Sequence, residues 1–143
     1  MLNHVRPLAA AVLALSLLAA AQTAYTPQFK GDPAHSGAEA AALGYVRTVI
    51  YAQRVYYKKH AAYATSLAEL VGSSSFTRRM TNTDRGDYTV HFTSANAGKN
   101  FSISLVPKQF DPAHRAFFAD DTGTIRAEND PPATAASPKV KAD

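Results

Sequence analysis

The sequence predicts an α+β fold in which one long N-terminal amphipathic helix packs on a three- or four-stranded antiparallel sheet. Two observations support this prediction. Residues 37–60 repeat apolar side chains at helical spacing, and residues 88–127 contain short runs in which apolar and polar residues alternate. Because the helix and the sheet each have one apolar face, we expect the two faces to bury each other.

The first residues have the composition of a secretory signal. After a short basic start, residues 8–21 are uncharged and, as a helix, roughly 21 Å long, which is shorter than a bilayer core of about 30 Å. The stretch ends in three alanines, so residues 1–21 are predicted to be a signal peptide cleaved between Ala21 and Gln22. The alternative is an uncleaved anchor helix. Cleavage predicts a periplasmic or secreted protein with an extended leader over residues 22–35.

A capping pattern marks the start of the predicted helix. The hydroxyl of Ser36 can accept a hydrogen bond from the N–H of Glu39, whose carboxylate can reach back to the N–H of Ser36. The helix is expected to run to about His60. Its apolar face covers an arc of roughly 140° and comprises Ala42, Leu43, Val46, Val49, Ile50, Gln53, Tyr56 and Tyr57.

After the helix, the sequence predicts a short helical turn, a loop and the sheet. A second capping pattern, Ser66 to Glu69, opens the turn, and residues 73–85 have no period and are predicted to be a loop. The α+β domain spans residues 36–127, and residues 128–143, rich in Pro, Ala, Lys and Asp, are predicted to be a disordered tail. Strands are expected over residues 88–93, 101–106, 116–119 and 124–127.

One face of the predicted helix is basic. Arg47, Tyr51, Arg54 and Lys58 fall at i, i+4, i+7 and i+11, so they form a stripe of three cations with one aromatic ring. This combination suits phosphate contact together with base stacking, which makes the stripe the candidate face for an anion or a partner. The net charge of +4 is compatible with acidic partners. The alternative is an ordinary solvated helix face.

Residue patterns that would carry catalysis are weak. The 143 residues include no Cys, which excludes disulfides, thiolate metal sites and cysteine nucleophiles. The triplet at residues 121–123, Asp-Thr-Gly, matches aspartic proteases, but that chemistry needs two carboxylates sharing a proton, and the triplet lies in a predicted turn. The spacing of His35, His60, His91 and His114 is not that of zinc ligands. The sequence therefore predicts a protein that is not an enzyme and holds neither metal nor cofactor.

Five short segments, taken in order, resemble the globular domain of type IV pilins and pseudopilins. They are Gly44–Gln53 in the helix, Tyr63–Leu70 after it, Gly86–Phe92 and Asn100–Ser104 in the first two strands, and Arg115–Arg126 in the last hairpin. The resemblance covers about residues 38–127 and implies a domain that works through surfaces, by subunit packing or by contact with pilus or secretion machinery. Pilins begin with a short basic leader, a Gly, then Phe-Thr-Leu-x-x-Glu and a long apolar helix, and this prepilin motif is lacking here.

Together, these features predict an exported, non-catalytic, pilin-like structural or interaction protein without a stable membrane span after processing. Its expected partners are proteins of type IV pilus or type II secretion machinery. The alternative is an exported binding module that recognises nucleic acid or an acidic polymer through the basic helix face. Salt-dependent retention on immobilised DNA or heparin would separate the two hypotheses.

Overall fold

The computed structural model describes residues 24–141, in which one long helix, α1, spans Gly37–His60. It begins where the sequence predicts, because the Oγ of Ser36 accepts a hydrogen bond of 3.1 Å from the N–H of Glu39. It ends where Ala61 adopts a left-handed backbone conformation with φ of 56°. The other half of the capping pattern differs from the prediction: the Glu39 carboxylate accepts from the N–H of His35, at 2.9 Å, and not from that of Ser36.

The chain before α1 is folded onto the domain, so the helix is not the first feature of the described chain. The sequence predicts an extended leader over residues 22–35, but a turn forms at Phe29, whose C=O accepts from the N–H of Asp32 at 3.2 Å. The Asp32 carboxylate fixes this turn by accepting from two backbone N–H groups, one of them that of the buried residue Ala34. The predicted signal peptide, residues 1–21, lies outside the described residues.

Five antiparallel strands form one sheet in the described part of the chain. They are β1, Asp84–Arg85; β2, Tyr88–Ala95; β3, Asn100–Pro107; β4, Ala116–Asp120; and β5, Ile125–Glu128. The strands form a meander in the order β1-β2-β3-β4-β5. The prediction of three or four strands is wrong because β1 lies in the segment predicted as a loop, and two residues are too few to show a period. A tight turn at Gly86, with φ of 65°, joins β1 to β2.

Two single turns of 3-10 helix, over Ala68–Leu70 and Arg78–Thr81, complete the fold of residues 24–141, together with a turn of left-handed backbone at Asn96–Gly98 between β2 and β3. The first confirms the predicted helical turn, since the Oγ of Ser66 accepts from the N–H of Glu69 at 3.3 Å. Neither α1 nor a 3-10 turn in residues 24–141 has the length and hydropathy of a segment that crosses a bilayer.

The core lies between α1 and one face of the sheet, as predicted. Leu43, Val46 and Val49 of the helix have no exposed surface. Neither do Ile103 in β3 and Phe117 in β4, and all five side chains belong to one hydrophobic cluster. Because the meander exposes one continuous apolar face to the helix, a single α1 is enough to cover it.

One tyrosine of the predicted apolar arc does not pack as expected. Tyr57 is 45% exposed, whereas Tyr45, outside the predicted arc, is buried and donates a hydrogen bond of 2.8 Å to the C=O of Met80. The cause lies beyond the helix end. There Tyr63 occupies the sheet surface against Phe101, with ring centroids 5.0 Å apart, and the Tyr57 ring rests on Tyr63 at 4.7 Å.

The predicted disordered tail is ordered against β5 as far as Val140. After β5 the chain turns back and runs antiparallel beside it. The N–H of Ala127 donates to the C=O of Pro138 at 2.9 Å, and the N–H of Val140 donates to the C=O of Ile125 at 2.8 Å. Composition does not predict this order. A polar segment buries little apolar surface of its own, but hydrogen bonds to the open edge of a strand can hold it in place.

Candidate functional site

The four residues of the predicted basic stripe lie on the solvent side of α1. Arg47, Tyr51, Arg54 and Lys58 are all exposed, and Tyr51 keeps 57% of its surface. The opposite face of α1 is buried against the sheet, so the helix cannot rotate and the stripe has a fixed place relative to the strands. The sequence pattern alone predicts that these side chains share a face of the helix but does not predict what lies beside them.

A groove runs between this side of α1 and the chain around β5. Two adjoining depressions, with volumes of about 430 and 340 Å³, share Arg47, Gly123 and Ile125 in their walls. We call the two depressions together the basic groove. Its other lining residues are Phe29, Gly31, Pro33, Ile50, Tyr51, Arg54, Thr124, Lys139 and Val140.

The basic groove includes three of the four stripe residues and one cation that the sequence analysis did not select. Arg47, Tyr51 and Arg54 border the first depression. Lys58 lies one helical turn beyond Arg54 and does not line either depression. Lys139 lines the second depression together with Arg47. The sequence gives little indication that Lys139 is ordered. It lies in the segment predicted to be disordered, where its one β-branched neighbour is Val140.

The turn between β4 and β5 shapes the middle of the groove. The N–H of Gly123 donates to the C=O of Asp120 at 2.9 Å, and Gly123 has a φ of 76°. A Cβ atom at this position would collide with Nη2 of Arg54. The backbone conformation favours glycine here, whereas the exposed Arg54 side chain could move aside for a Cβ atom. The prediction that the Asp-Thr-Gly triplet forms a turn is confirmed.

The cations of the groove form no ion pairs within residues 24–141, where the ion pairs present join other residues. The Cζ atom of Arg47 lies instead over the ring of Phe29, 5.9 Å from its centroid. Asp32 lies close enough for Arg47 to contribute to its lowered pKa, but the hydrogen bond from Tyr25 is the largest cause of that shift. The groove therefore combines cations that are not held in ion pairs with an apolar lining.

A buried ion pair joins the start of α1 to the start of β4. Glu39 has no exposed surface, and its Oε2 lies 2.8 Å from Nη2 of Arg115. The same carboxylate accepts from the backbone N–H of Arg115 at 2.8 Å, and Nη2 of Arg115 also donates to the C=O of Pro33 at 2.8 Å. These bonds hold the two elements together. The sequence pattern predicts Glu39 as a capping residue, but no local pattern indicates Arg115 as its partner.

A second charged cluster surrounds His114, in the loop before β4. Its Nδ1 lies 2.7 Å from Oδ1 of Asp111, and its Nε2 lies 3.2 Å from Oδ2 of Asp87. The hydrogen bond with Asp111 raises the pKa of His114, partial burial opposes this effect, and Asp87 adds to the increase. Because both ring nitrogens meet carboxylate oxygens, the doubly protonated ring satisfies both. The cluster ties this loop to the turn between β1 and β2.

The titratable side chains considered for catalysis are spread over the domain. His114 and Asp121 lie at opposite ends of β4, with roughly 16 Å of strand between them. Among residues 24–141, no three or more His, Asp and Glu side chains are grouped so that they could hold a metal ion. With its cations and partly apolar walls, the basic groove is suited to bind an anionic partner.

Comparisons of this chain with protein-family models, with curated proteins and with solved structures found no match.

Proposed function

We propose that this chain is an exported, non-catalytic protein of pilin-like organisation that acts through its surface, in association with type IV pilus or type II secretion machinery. Two features support the proposal. A long helix lies on one face of an antiparallel meander, and five segments along that chain resemble pilin heads. In such a domain the core is used for packing, and function resides in exposed side chains.

The basic groove is the observation that carries this proposal. Arg47 and Arg54 stand on one wall and Lys139 on the segment beside β5, while the half-buried Ile125 and Val140 supply apolar surface beside them. A partner segment that combines carboxylates with an apolar side chain would match both properties. Charge complementarity of this kind steers encounter and sets register, and the apolar contact supplies affinity.

Photo-crosslinking tests whether the groove meets a partner. A photoreactive amino acid at position 51, in the groove, is expected to capture a pilus or secretion component in the living cell. The matched control is position 71, where Val71 is 41% exposed and does not line the groove. Capture at both positions or at neither would contradict the proposed surface.

Export is the other part of the proposal, and it rests on residues 1–21. We expect the mature protein to begin at Gln22 and to be found in the periplasm or the medium. Mass spectrometry of the protein from each cell fraction measures its N-terminus. An intact Met1 in washed membranes would show instead that residues 1–21 are kept as an anchor.

Binding of nucleic acid or another acidic polymer is the second candidate function. It is favoured by Tyr51, an exposed ring between two guanidinium groups that form no ion pair within residues 24–141, which could stack on a base while Arg47 and Arg54 meet phosphates. Retention on DNA or heparin should then fall with salt and fall further in the variant R47E/R54E. The matched control, R78E/R79E, changes two exposed arginines outside the groove by the same charge. Equal retention of the two variants would reject this function.

A further inference from the structure

The tetrapeptide Asp-Pro-Ala-His occurs twice in the chain, at residues 32–35 and 111–114. The first copy precedes α1 and the second precedes β4, and the folded chain brings the two together. Nδ1 of His35, in the first copy, lies 3.4 Å from the C=O of Pro112, in the second. Because the two copies have the same residues, any difference in the reactivity of their Asp–Pro bonds must come from the surrounding structure.

An Asp–Pro peptide bond carries its own nucleophile. The aspartate carboxylate can close a five-membered ring on the carbonyl carbon of the same residue. The proline nitrogen, which bears two alkyl groups, leaves readily once it is protonated. Since nucleophile and carbonyl belong to one residue, the attack is intramolecular and needs no second protein molecule. The hydrogen bonds around the bond then decide how easily it breaks.

The second copy combines an untied carboxylate oxygen with a polarised carbonyl group. Oδ1 of Asp111 accepts from the N–H of Ala113 at 2.9 Å, whereas no donor within residues 24–141 bonds to its Oδ2. The backbone C=O of Asp111, which is the group to be attacked, accepts from the N–H of His114 at 3.0 Å. A donor at that oxygen stabilises the negative charge that develops there during the attack.

The first copy lacks both features. Oδ2 of Asp32 accepts from the Tyr25 hydroxyl and from the N–H of Gln28, at 2.5 and 2.9 Å, and Oδ1 accepts from a further backbone N–H. The N–H of His35 donates to the carboxylate of Glu39 and not to the C=O of Asp32. The carboxylate of the first copy is therefore held on both oxygens, and its carbonyl is not polarised by the turn.

The imidazole of His114 completes the arrangement in the second copy. Its Nδ1 lies 2.7 Å from Oδ1 of Asp111, and its Nε2 lies 3.2 Å from a carboxylate oxygen of Asp87. The hydrogen bond between His114 and Asp111 raises the pKa of the histidine and lowers the pKa of the aspartate. At a pH of about 5, between their ordinary pKa values, the carboxylate is thus ionised and the ring protonated. The ring holds Oδ1 and leaves Oδ2 to attack.

Other titratable groups surround this turn without bonding to the side chains of Asp111 or His114. They are Glu39, Tyr88, Lys108, Arg115, His35 and Asp130. Glu39 and Arg115 pair with each other, and Lys108 pairs with Asp84. The charge on the His114 ring is therefore governed chiefly by the two carboxylates that it contacts.

From these differences we propose that the chain cleaves its own Asp111–Pro112 bond in mildly acidic solution. Oδ2 of Asp111 attacks the carbonyl carbon of the same residue, the bond from that carbon to the nitrogen of Pro112 breaks, and the nitrogen takes a proton from hydronium. Water then opens the cyclic anhydride, which leaves one chain ending at Asp111 and another beginning at Pro112. Each molecule reacts once, so the protein processes itself and does not turn over a substrate. The proposal is independent of the function of the basic groove.

The cleaved domain is expected to stay assembled. β4 remains paired with β3 from Ser102 to Leu105, and Arg115 remains paired with Glu39. Cleavage must therefore be measured after denaturation, by the mass of the separated fragments.

Mass spectrometry of the full chain tests the proposal after incubation at about pH 5 with protease inhibitors. A fragment of residues 112–143 should form at a rate that does not depend on protein concentration and that falls as the pH is raised. Cleavage should be at least about tenfold faster there than at the Asp–Pro bonds 32–33 and 130–131, a modest ratio for one well-placed oxyanion donor. In urea at the same pH, the three bonds should break at similar rates.

Three variants identify the groups involved. D111N removes the nucleophile and should abolish cleavage after residue 111. H114Q keeps the backbone N–H but loses the charged ring, and it should slow cleavage about tenfold. The matched control is D130N, which changes an exposed Asp–Pro carboxylate and should leave the rate at residue 111 unchanged. Circular dichroism at the incubation pH would verify that the variants are folded.

Several outcomes would overturn the proposal. They are the absence of the fragment at about pH 5, equal rates at the three bonds in the folded chain, and a preference for residue 111 that persists in urea. Cleavage of D111N at the same site, or an unchanged rate in folded H114Q, would show that the carboxylate or the ring has no part in the reaction. A rate that rises with protein concentration would assign the cleavage to a second molecule.

Discussion

Replacing Arg115 by leucine removes one half of the ion pair that joins α1 to β4. Glu39 has no exposed surface, so its carboxylate cannot regain water when the guanidinium is lost. The substitution also removes the hydrogen bond from Nη2 to the C=O of Pro33. We therefore expect Arg115→Leu to destabilise the domain much more than loss of an exposed arginine would.

The expected size of this effect follows from what remains around the carboxylate. Breaking a buried ion pair by removing one partner costs about 3 to 5 kcal/mol. Two backbone donors to Glu39 are kept, the N–H of His35 and the N–H of residue 115, at 2.9 and 2.8 Å. Because these two hydrogen bonds remain, we expect the loss of stability to lie at the lower end of that range, about 3 kcal/mol. For a domain of this size such a loss lowers Tm by roughly 10 to 15 °C.

Urea unfolding at neutral pH measures the change in the free energy of unfolding, with the m-value expected to stay constant. The matched control is Arg126→Leu, because Arg126 donates to the C=O of Ser137 but forms no ion pair in residues 24–141. Loss of this one hydrogen bond should cost about 1 kcal/mol. Adding Glu39→Gln to Arg115→Leu should restore part of the stability, since no buried charge then remains unpaired. If Arg115→Leu cost no more than Arg126→Leu, the reasoning from burial would be refuted.

Three further predictions concern the core, the helix end and the histidine cluster. In thermal melts Ile50→Asp, which buries a carboxylate, should lose about 3 kcal/mol or more, whereas the exposed Arg54→Asp should stay within about 0.5 kcal/mol of the wild type. In urea, Gln53→Leu should cost about 2 to 4 kcal/mol, because the buried amide pairs with both the N–H and the C=O of Ala64, at 2.8 and 3.0 Å. The pKa of His114 is raised above 6.5 in the folded protein. The stability that this residue contributes is therefore complete below pH 6.5 and is lost as the pH rises through the folded pKa. A pH series of urea unfolding should show this loss in the wild type and not in His114→Gln.

Each of these predictions has an outcome that would contradict it. Equal melting temperatures for the wild type and Ile50→Asp would mean that α1 does not pack on the sheet as described. A neutral Gln53→Leu would mean that the backbone groups of Ala64 reach water. A pH profile shared by the wild type and His114→Gln would show that the imidazole is not held between Asp111 and Asp87.

The basic groove could be predicted only in part. Arg47, Tyr51 and Arg54 share a helix face because 3.6 residues make one turn, and this geometry is local. Phe29 and Lys139 reach the same groove from segments before α1 and after β5, and no local pattern places them there. Asp111 and Asp130 come to line one depression in the same way, from two separate loops.

Sequence by itself determined the elements whose causes are local. The Ser36 cap and the apolar period define α1, alternation defines β2 and β3, and the turn signal at residues 120–123 separates β4 from β5, because these signals act within a few residues of the chain. Only the tertiary structure decided the rest. The pairing of Glu39 with Arg115 joins positions 76 residues apart, and β1 and the segment 138–141 are ordered by the strand edges that they meet. Such contacts depend on which surfaces the folded core brings together, and that is a property of the packed chain and not of any segment alone.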